Sequence, residues 1–151
     1  MAFELTGTAG KVAIVTGAGR MRGIGRMVAV ELARAGCDVV LTGTGRSPDR
    51  YPDDEKAAGW RDIDSVADEV RAFGCRALPL VASVAVEEDV DGVVTRALAE
   101  FGRIDFLVNN AASSRGNDRV PVTEMPVSEW DRVIEINLRG TFLMSRTFAK
   151  H

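Results

Sequence analysis

Residues 11–36 constrain the fold more than any other part of the sequence. An apolar run rich in β-branched residues, 12–16, is typical of a buried parallel strand. Glycines interrupt the run, and from Ile24 the pattern predicts a helix that ends at Gly36. The glycines of this turn are Gly17, Gly19, Gly23 and Gly25. The sequence therefore opens with a strand, a glycine-rich turn and a helix.

This order of elements presents backbone N–H groups and the positive end of a helix to a bound anion. Glycine suits such a turn because a Cβ atom would keep a diphosphate away from the backbone. The turn therefore predicts a dinucleotide site. The alternative is an ordinary glycine-rich connection, because the strict G-x-G-x-x-G spacing fails at Arg22.

The same strand–helix alternation continues along the rest of the chain. It predicts an α/β fold in which a Rossmann-like, doubly wound parallel sheet is covered by helices on both faces. Right-handed crossovers give the four strands the order 3-2-1-4, so the glycine turn lies at the switch point of one domain spanning residues 1–151. A long loop is expected at 43–59. The predicted strands are 12–16, 38–42, 76–82 and 104–109, and the predicted helices before the last one are 24–35, 61–73 and 87–101.

The last predicted helix, 128–150, differs from the others because apolar residues cover nearly two of its faces. Leaving several large apolar side chains in water would strongly favour association. We expect either more of the same protein or a second subunit to cover this surface, and a homo-oligomer through 128–150 is the prediction.

Composition excludes several classes of function. A net charge of −3 and a pI near 5.2 provide no basic surface for nucleic acid or an anionic membrane. No apolar run is long enough to span a bilayer, which favours a soluble, cytoplasmic protein. Cys37 and Cys75 lack companion histidines, so they are expected to be small buried apolar residues and no metal site is predicted.

Two further motifs, NNAA at 109–112 and INLRG at 136–140, complete a pattern that resembles the short-chain dehydrogenase/reductase family. The resemblance extends from Lys11 to the end of the chain and corresponds to the N-terminal part of that family's domain. It implies an NAD(P)-dependent oxidoreductase acting on a small carbonyl or alcohol substrate. The turn departs from the family pattern by having five residues between Gly17 and Gly23 where three are usual. The cofactor-binding residues that the resemblance implies around the turn and cleft are Thr16, Gly17, Gly19, Arg20, Gly23, Ile24, Gly25, Asn109 and Ala111.

The choice between NAD and NADP is predicted from the residues that would contact the adenosine part of the cofactor. Ser83 stands where the family often has an aspartate for the adenine amino group. Residues 42–46, at the end of the second strand, contain no acid, and Arg46, with Arg20 or Arg22, is suited to pair with a 2′-phosphate. NADP is therefore predicted over NAD. The alternative is that these arginines are solvated loop residues.

The catalytic residues are only partly present. By resemblance, Asn137 anchors a water in a proton relay beside a serine, a tyrosine and a lysine. The sole tyrosine, Tyr51, is followed four residues later by Glu55, so the sequence contains no Y-x-x-x-K pair. The 151-residue chain alone is therefore predicted to be inactive and truncated before those residues. Two alternatives stay open, a short non-catalytic nucleotide-binding protein and a non-functional fragment that associates through its last helix.

Overall fold

The fold is built on a four-stranded parallel sheet in the order β3-β2-β1-β4. A computed structural model describes residues 6–113 and 118–151. The strands are β1 Val12–Val15, β2 Asp38–Gly43, β3 Ala77–Val81 and β4 Phe106–Val108. The predicted fold class and strand order are confirmed, with strand ends differing by up to two residues.

Helices connect the strands on both faces of the sheet, as the alternation predicts. They are α1 Ile24–Arg34, α2 Asp53–Ala57, α3 Ile63–Ala72, α4 Glu87–Phe101, α5 Val127–Ile134 and α6 Gly140–Phe148. Single 3₁₀ turns lie at Pro48–Arg50 and Val122–Glu124.

The expectation of a plain loop over 43–59 is wrong in one respect, because this segment contains a 3₁₀ turn and the short helix α2. Pro48 begins the 3₁₀ turn, where a fixed φ and a missing N–H cost nothing. Acidic side chains at 53–55 occupy the first turn of α2 and complement its dipole.

The core consists of one apolar cluster on each face of the sheet. On one face Ile14 and Val40 pack with α4 and α6, and on the other Val15 and Leu41 pack with α1 and α3. All of β1 is buried, which explains why its sequence is continuously apolar. Each large buried side chain contributes about 1.5–3 kcal/mol, so the two central strands fix the position of the turn that follows β1.

The last helical segment has the predicted extent but not the predicted hydrogen bonding. Between α5 and α6 lies a π-helical turn, Glu135–Arg139, in which the Gly140 N–H donates to the Glu135 carbonyl. Leu143 and Met144 are buried, whereas Trp130, Leu138 and Phe142 are more than half exposed. The second apolar face is therefore uncovered by the described residues, and its assignment to a second subunit stays a prediction.

Neither cysteine forms a disulfide in this structure. The Cys37 thiol is buried and donates to the Thr8 carbonyl at 3.2 Å, and the Cys75 thiol donates to the Ala33 carbonyl at 3.3 Å. Burial raises the pKa of both thiols. Cys37 is buried as predicted, whereas Cys75 is only partly buried and packs against the cluster of α1 and α3. Among the described residues, no helix is both long and apolar enough to cross a lipid bilayer.

Candidate functional site

The carboxyl ends of β1 and β4 and the first turn of α1 meet at one edge of the sheet. The strand order reverses at β1, because β2 lies on one side of it and β4 on the other. In open α/β sheets, ligands bind in the crevice outside such a switch point. The turn from Thr16 to Gly23 forms one wall of that crevice.

Thr16 and Asn110 join this turn to the end of β4. The Thr16 hydroxyl donates to the Val108 carbonyl at 3.2 Å and accepts the N–H groups of Asn110 and Ala111, each at 3.0 Å. The Asn110 amide donates to the carbonyls of Thr16 and Gly17, at 2.8 and 3.0 Å. The turn is thereby held in one position relative to β4 before any ligand binds.

Two of the turn glycines are required by this close packing. Gly17 has a φ of +67°, and a Cβ there would lie 2.7 Å from the Ala111 Cα. A Cβ at Gly25 would lie 2.5 Å from the Asn110 amide nitrogen and 2.8 Å from the Gly17 carbonyl oxygen. Any larger residue would separate α1 from β4, so these glycines first serve the chain's own contacts.

The amino end of α1 carries the features that an anion requires. None of the described side chains caps it, and its first turn contains no acid. The N–H groups of residues 24–26 have no acceptor among the described residues, while the Ile24 side chain is 75% exposed. Unpaired N–H groups at a helix start next to an exposed apolar surface fit a diphosphate.

The predicted arginines do not form one cationic group. Arg46 is only 18% exposed and its Nη1 donates to a Glu55 carboxylate oxygen at 2.8 Å. Arg22 pairs with Asp54 at 2.8 Å on the surface. Arg20 is exposed, and it forms no ion pair with the part of the chain that the structure describes.

Asp62 and Glu55 are the residues that sequence reasoning missed. Both are buried, and both lie against the turn after β1 although they come from the segment after β2. Asp62 also has a φ of +54°, which is costly for a residue other than glycine. The only sequence signal was the unusual length of that segment, which is longer than a plain connection requires.

Tyr51, the sole tyrosine, belongs to the same group of side chains. Its ring is 7% exposed and lies 4.8 Å from the Arg46 guanidinium carbon. Burial raises the pKa of its phenol, the opposite of what a general acid near neutral pH requires. Tyr51 is therefore a packing residue.

Ser83 and Asn109 lie at the same edge of the sheet as the turn. The Ser83 N–H donates to an Asp89 carboxylate oxygen at 2.8 Å, and its hydroxyl accepts the Ala85 N–H at 3.3 Å. The Asn109 amide donates to the Ser145 hydroxyl at 3.1 Å. Asn109 follows β4, which borders the crevice, whereas Ser83 follows the edge strand β3.

Asn137 lies in the π-helical turn and links it to the segment after β4. Its side-chain oxygen accepts the Ser113 N–H at 2.7 Å, and its carbonyl accepts the Thr141 hydroxyl at 2.8 Å. Gly140 lets the same helical segment approach the loop after β3, because a Cβ there would lie 2.6 Å from a methyl of Val84. No cluster of three or more His, Cys, Asp or Glu suited to a metal ion occurs in the described ranges.

Known proteins resemble this chain in sequence. The sequence model of the family described as short chain dehydrogenase matches residues 11–151. The chain is 35% identical over 150 residues to 2-dehydro-3-deoxy-D-gluconate 5-dehydrogenase of Escherichia coli (strain K12), covering 99% of this chain and 50% of that protein. It is 36% identical over 146 residues to a 3-oxoacyl-[acyl-carrier-protein] reductase of Synechocystis, covering 97% and 52%.

A solved structure shares the fold at similar identity. The crystal structure of NAD⁺-bound xylitol dehydrogenase superposes with a TM-score of 0.78 at 31% identity, over 95% of this chain and 48% of that chain. The chain thus spans about half the length of the curated relatives it matches. With the family pattern matched from Lys11 onward, the chain belongs to the short-chain dehydrogenase family.

Proposed function

We propose that this chain forms the dinucleotide-binding part of an oxidoreductase that transfers hydride between NAD(P) and a small carbonyl or alcohol substrate. The main observation in support is the uncapped start of α1 beside a glycine turn that Thr16 and Asn110 hold in place. When bound, the nicotinamide ring would donate or accept the hydride. The chain's own residues would bind, orient and shield the cofactor.

The roles follow the position of each residue in the crevice. The turn, with Gly17, Gly19, Gly23 and Gly25, would hold the diphosphate, while Thr16, Arg20 and Ile24 shape its borders. Asn109 and Ala111 would line the cleft, and Ser83 would meet the adenine. Asn137 would anchor a water of the proton relay. Its side chain supports this role because Ser113 holds the amide oxygen in place.

The choice between NAD and NADP depends on which cation reaches the adenosine ribose. The preference for NADP stays a prediction, and Arg20 is the guanidinium that now best supports it. Arg46 already donates to Glu55 and to the Gly19 carbonyl, so it would have to exchange partners to bind a phosphate. A truncation of Arg20 to alanine should weaken NADPH binding more than NADH binding if the preference holds.

A second candidate function is binding without catalysis. One observation favours it for this chain: no tyrosine in residues 1–151 stands four residues before a lysine. We therefore expect this chain alone to bind dinucleotide without turnover. An intact mass well above 16.2 kDa for the protein from its native source would favour the oxidoreductase.

The uncovered apolar face of residues 127–148 supports a homo-oligomer in the whole protein. Trp130, Leu138 and Phe142 are 57%, 65% and 57% exposed, which is a large apolar surface to leave in water. The substrate is proposed only as a small carbonyl or alcohol, and the location as the cytoplasm.

Dinucleotide binding by this chain tests the proposal directly. NADH and NADPH fluorescence would be titrated against the wild type and against Gly25→Ala. That substitution places a Cβ 2.5 Å from Asn110 and should reduce binding of both dinucleotides. Gly92→Ala is the matched control, because a Cβ there meets nothing within 4 Å. Equal affinity in the two variants, or no binding by the wild type, would contradict the proposal for this chain.

A further inference from the structure

Two irregular parts of the sequence contact each other in the structure. One is the glycine turn with its two additional residues. The other is the segment at residues 44–62, here called the arm, which follows β2 and leads to α3. The Gly19 carbonyl accepts two hydrogen bonds from the arm, from Trp60 Nε1 at 2.7 Å and from Arg46 Nη2 at 3.1 Å. The arm therefore holds the turn on the side away from β4.

Glu55 provides the second connection. Its side chain is 5% exposed, and one carboxylate oxygen accepts the Met21 N–H at 2.9 Å. The other oxygen accepts Arg46 Nη1 at 2.8 Å. Met21 lies among the five residues between Gly17 and Gly23, so a buried charge of the arm fixes the part of the turn that departs from the family pattern.

Asp62 provides the third connection. Its carboxylate accepts the Arg46 N–H at 3.2 Å, and its other oxygen lies so close to Gly19 that a Cβ there would be 1.4 Å from it. The Asp62 carboxylate therefore occupies the space that a side chain at position 19 would need. Asp62 makes this contact while its backbone has a φ of +54°.

Arg46 pairs with both carboxylates from within the chain. Its Nε lies 3.4 Å from Asp62, and its two terminal nitrogens bond Glu55 and Gly19. Burial acts to lower the Arg46 pKa, but the hydrogen bond to Glu55 and the charge of Asp62 outweigh it and raise the pKa. Arg46 thus stays charged, with its donors directed at protein groups.

We propose that Arg46, Glu55 and Asp62 form a positioning cluster that holds the lengthened glycine turn in its diphosphate-binding conformation. On this proposal Arg46 acts through Gly19 on both dinucleotides and does not select NADP by contacting its 2′-phosphate. The effect on binding rests on the proposed function. The effect on the turn itself does not.

The first test compares NADH and NADPH affinities of Arg46→Ala with those of the wild type. A positioning role predicts that both affinities fall by the same factor, about tenfold, since a buried charge-assisted contact to the turn is lost. Arg61→Ala is the matched control, because Arg61 belongs to the same arm but pairs with the exposed Asp68 and does not touch the turn. Loss of NADPH affinity alone would overturn the proposal, as would unchanged affinity for both.

The second test needs no ligand. Hydrogen exchange of a peptide covering residues 18–23 would be measured in Glu55→Ala, Glu55→Gln and the wild type, with a peptide from α4 as the internal reference. Glu55→Ala should exchange about tenfold faster in the turn and unchanged in α4. Glu55→Gln should restore part of the protection, because its amide oxygen can still accept the Met21 N–H. Unchanged exchange in Glu55→Ala would overturn the proposal even if the wild type binds no dinucleotide. Faster exchange in a chain that binds none would reject only the proposed function.

Discussion

Thr16→Val provides the sharpest test of how the turn is held. Valine keeps the shape of threonine but removes a hydroxyl that is buried with the rest of its residue, which is 1% exposed. Three hydrogen bonds of that hydroxyl are lost, to Val108, Asn110 and Ala111. The Asn110 N–H keeps an alternative acceptor in the Val108 carbonyl at 3.0 Å, whereas the Ala111 N–H keeps none among the described residues.

These contacts set the expected magnitude. One unsatisfied N–H costs about 1–3 kcal/mol, towards the low end here because Ala111 is only half-buried. The two weaker losses add about 0.5–1 kcal/mol together. We therefore expect the free energy of unfolding to fall by about 1.5–2.5 kcal/mol. Thr16→Ser keeps the hydroxyl and should lose less than about 1 kcal/mol, the value of one buried methyl group.

Urea unfolding of the two variants measures these differences. Thr8→Val is the matched control, because the Thr8 hydroxyl is nearly as buried but makes one bond, to the Ala35 carbonyl at 2.8 Å. It should cost about 1 kcal/mol. If Thr16→Val and Thr8→Val destabilise equally, or if Thr16→Ser is as damaging as Thr16→Val, the hydroxyl does not hold the turn.

The remaining predictions concern packing, pH and association. Gly140→Ala should destabilise the fold by about 1–3 kcal/mol, because its Cβ would lie 2.6 Å from Val84. Gly92→Ala should instead stabilise the fold by up to about 1 kcal/mol, because a Cβ there meets nothing within 4 Å. Thermal melts of the two variants would show shifts of opposite sign. A hydrogen bond from the arginine two residues earlier lowers the pKa of Asp105 to about 2, so its stabilising effect is complete above about pH 4 and is lost as the pH falls towards 2. Asp105→Asn should therefore remove about 1 kcal/mol at pH 7 and flatten the acid side of the stability curve in urea unfolding, whereas an unchanged slope would contradict this assignment. On the proposed association through residues 127–148, Leu138→Glu should shift the chain towards monomer in sedimentation, because Leu138 is 65% exposed in the single chain; an unchanged sedimentation profile would contradict that association.

The fold was predictable because its determinants are local. Continuous apolar runs such as Val12–Val15 identify the strands, and glycines mark where the helices end. Right-handed crossovers between these parallel strands then determine the strand order. The 3₁₀ turn and α2 were missed because a segment with two prolines and many charges carries no apolar periodicity. The π-helical turn was missed because its sequence, EINLR, is also compatible with an α-helix.

The site was only partly predictable, because its support depends on contacts between distant segments. The glycines and the NNAA motif could be recognised by spacing. The partner of Gly19 could not, since Asp62 is 43 residues away and adopts a conformation that aspartate rarely prefers. Arg46 was predicted as a ligand-facing cation because its sequence neighbours include no acid, yet Glu55 reaches it from the next helix.

The π-helical turn has a consequence for the rotational phase of the two helices it joins. An α-helix advances about 100° per residue, and the i to i+5 bond from Gly140 to Glu135 accommodates one residue more than an α-turn would. The contact of Gly140 with Val84 fixes the orientation of α6. The extra residue of the π-helical turn then sets the rotation of α5 about the helix axis relative to α6. Deleting one residue from Glu135–Arg139 would keep a continuous helix but turn α5 by about 100°. The side chains of Asn137 and Trp130 would then point away from their present directions, although neither residue had been substituted.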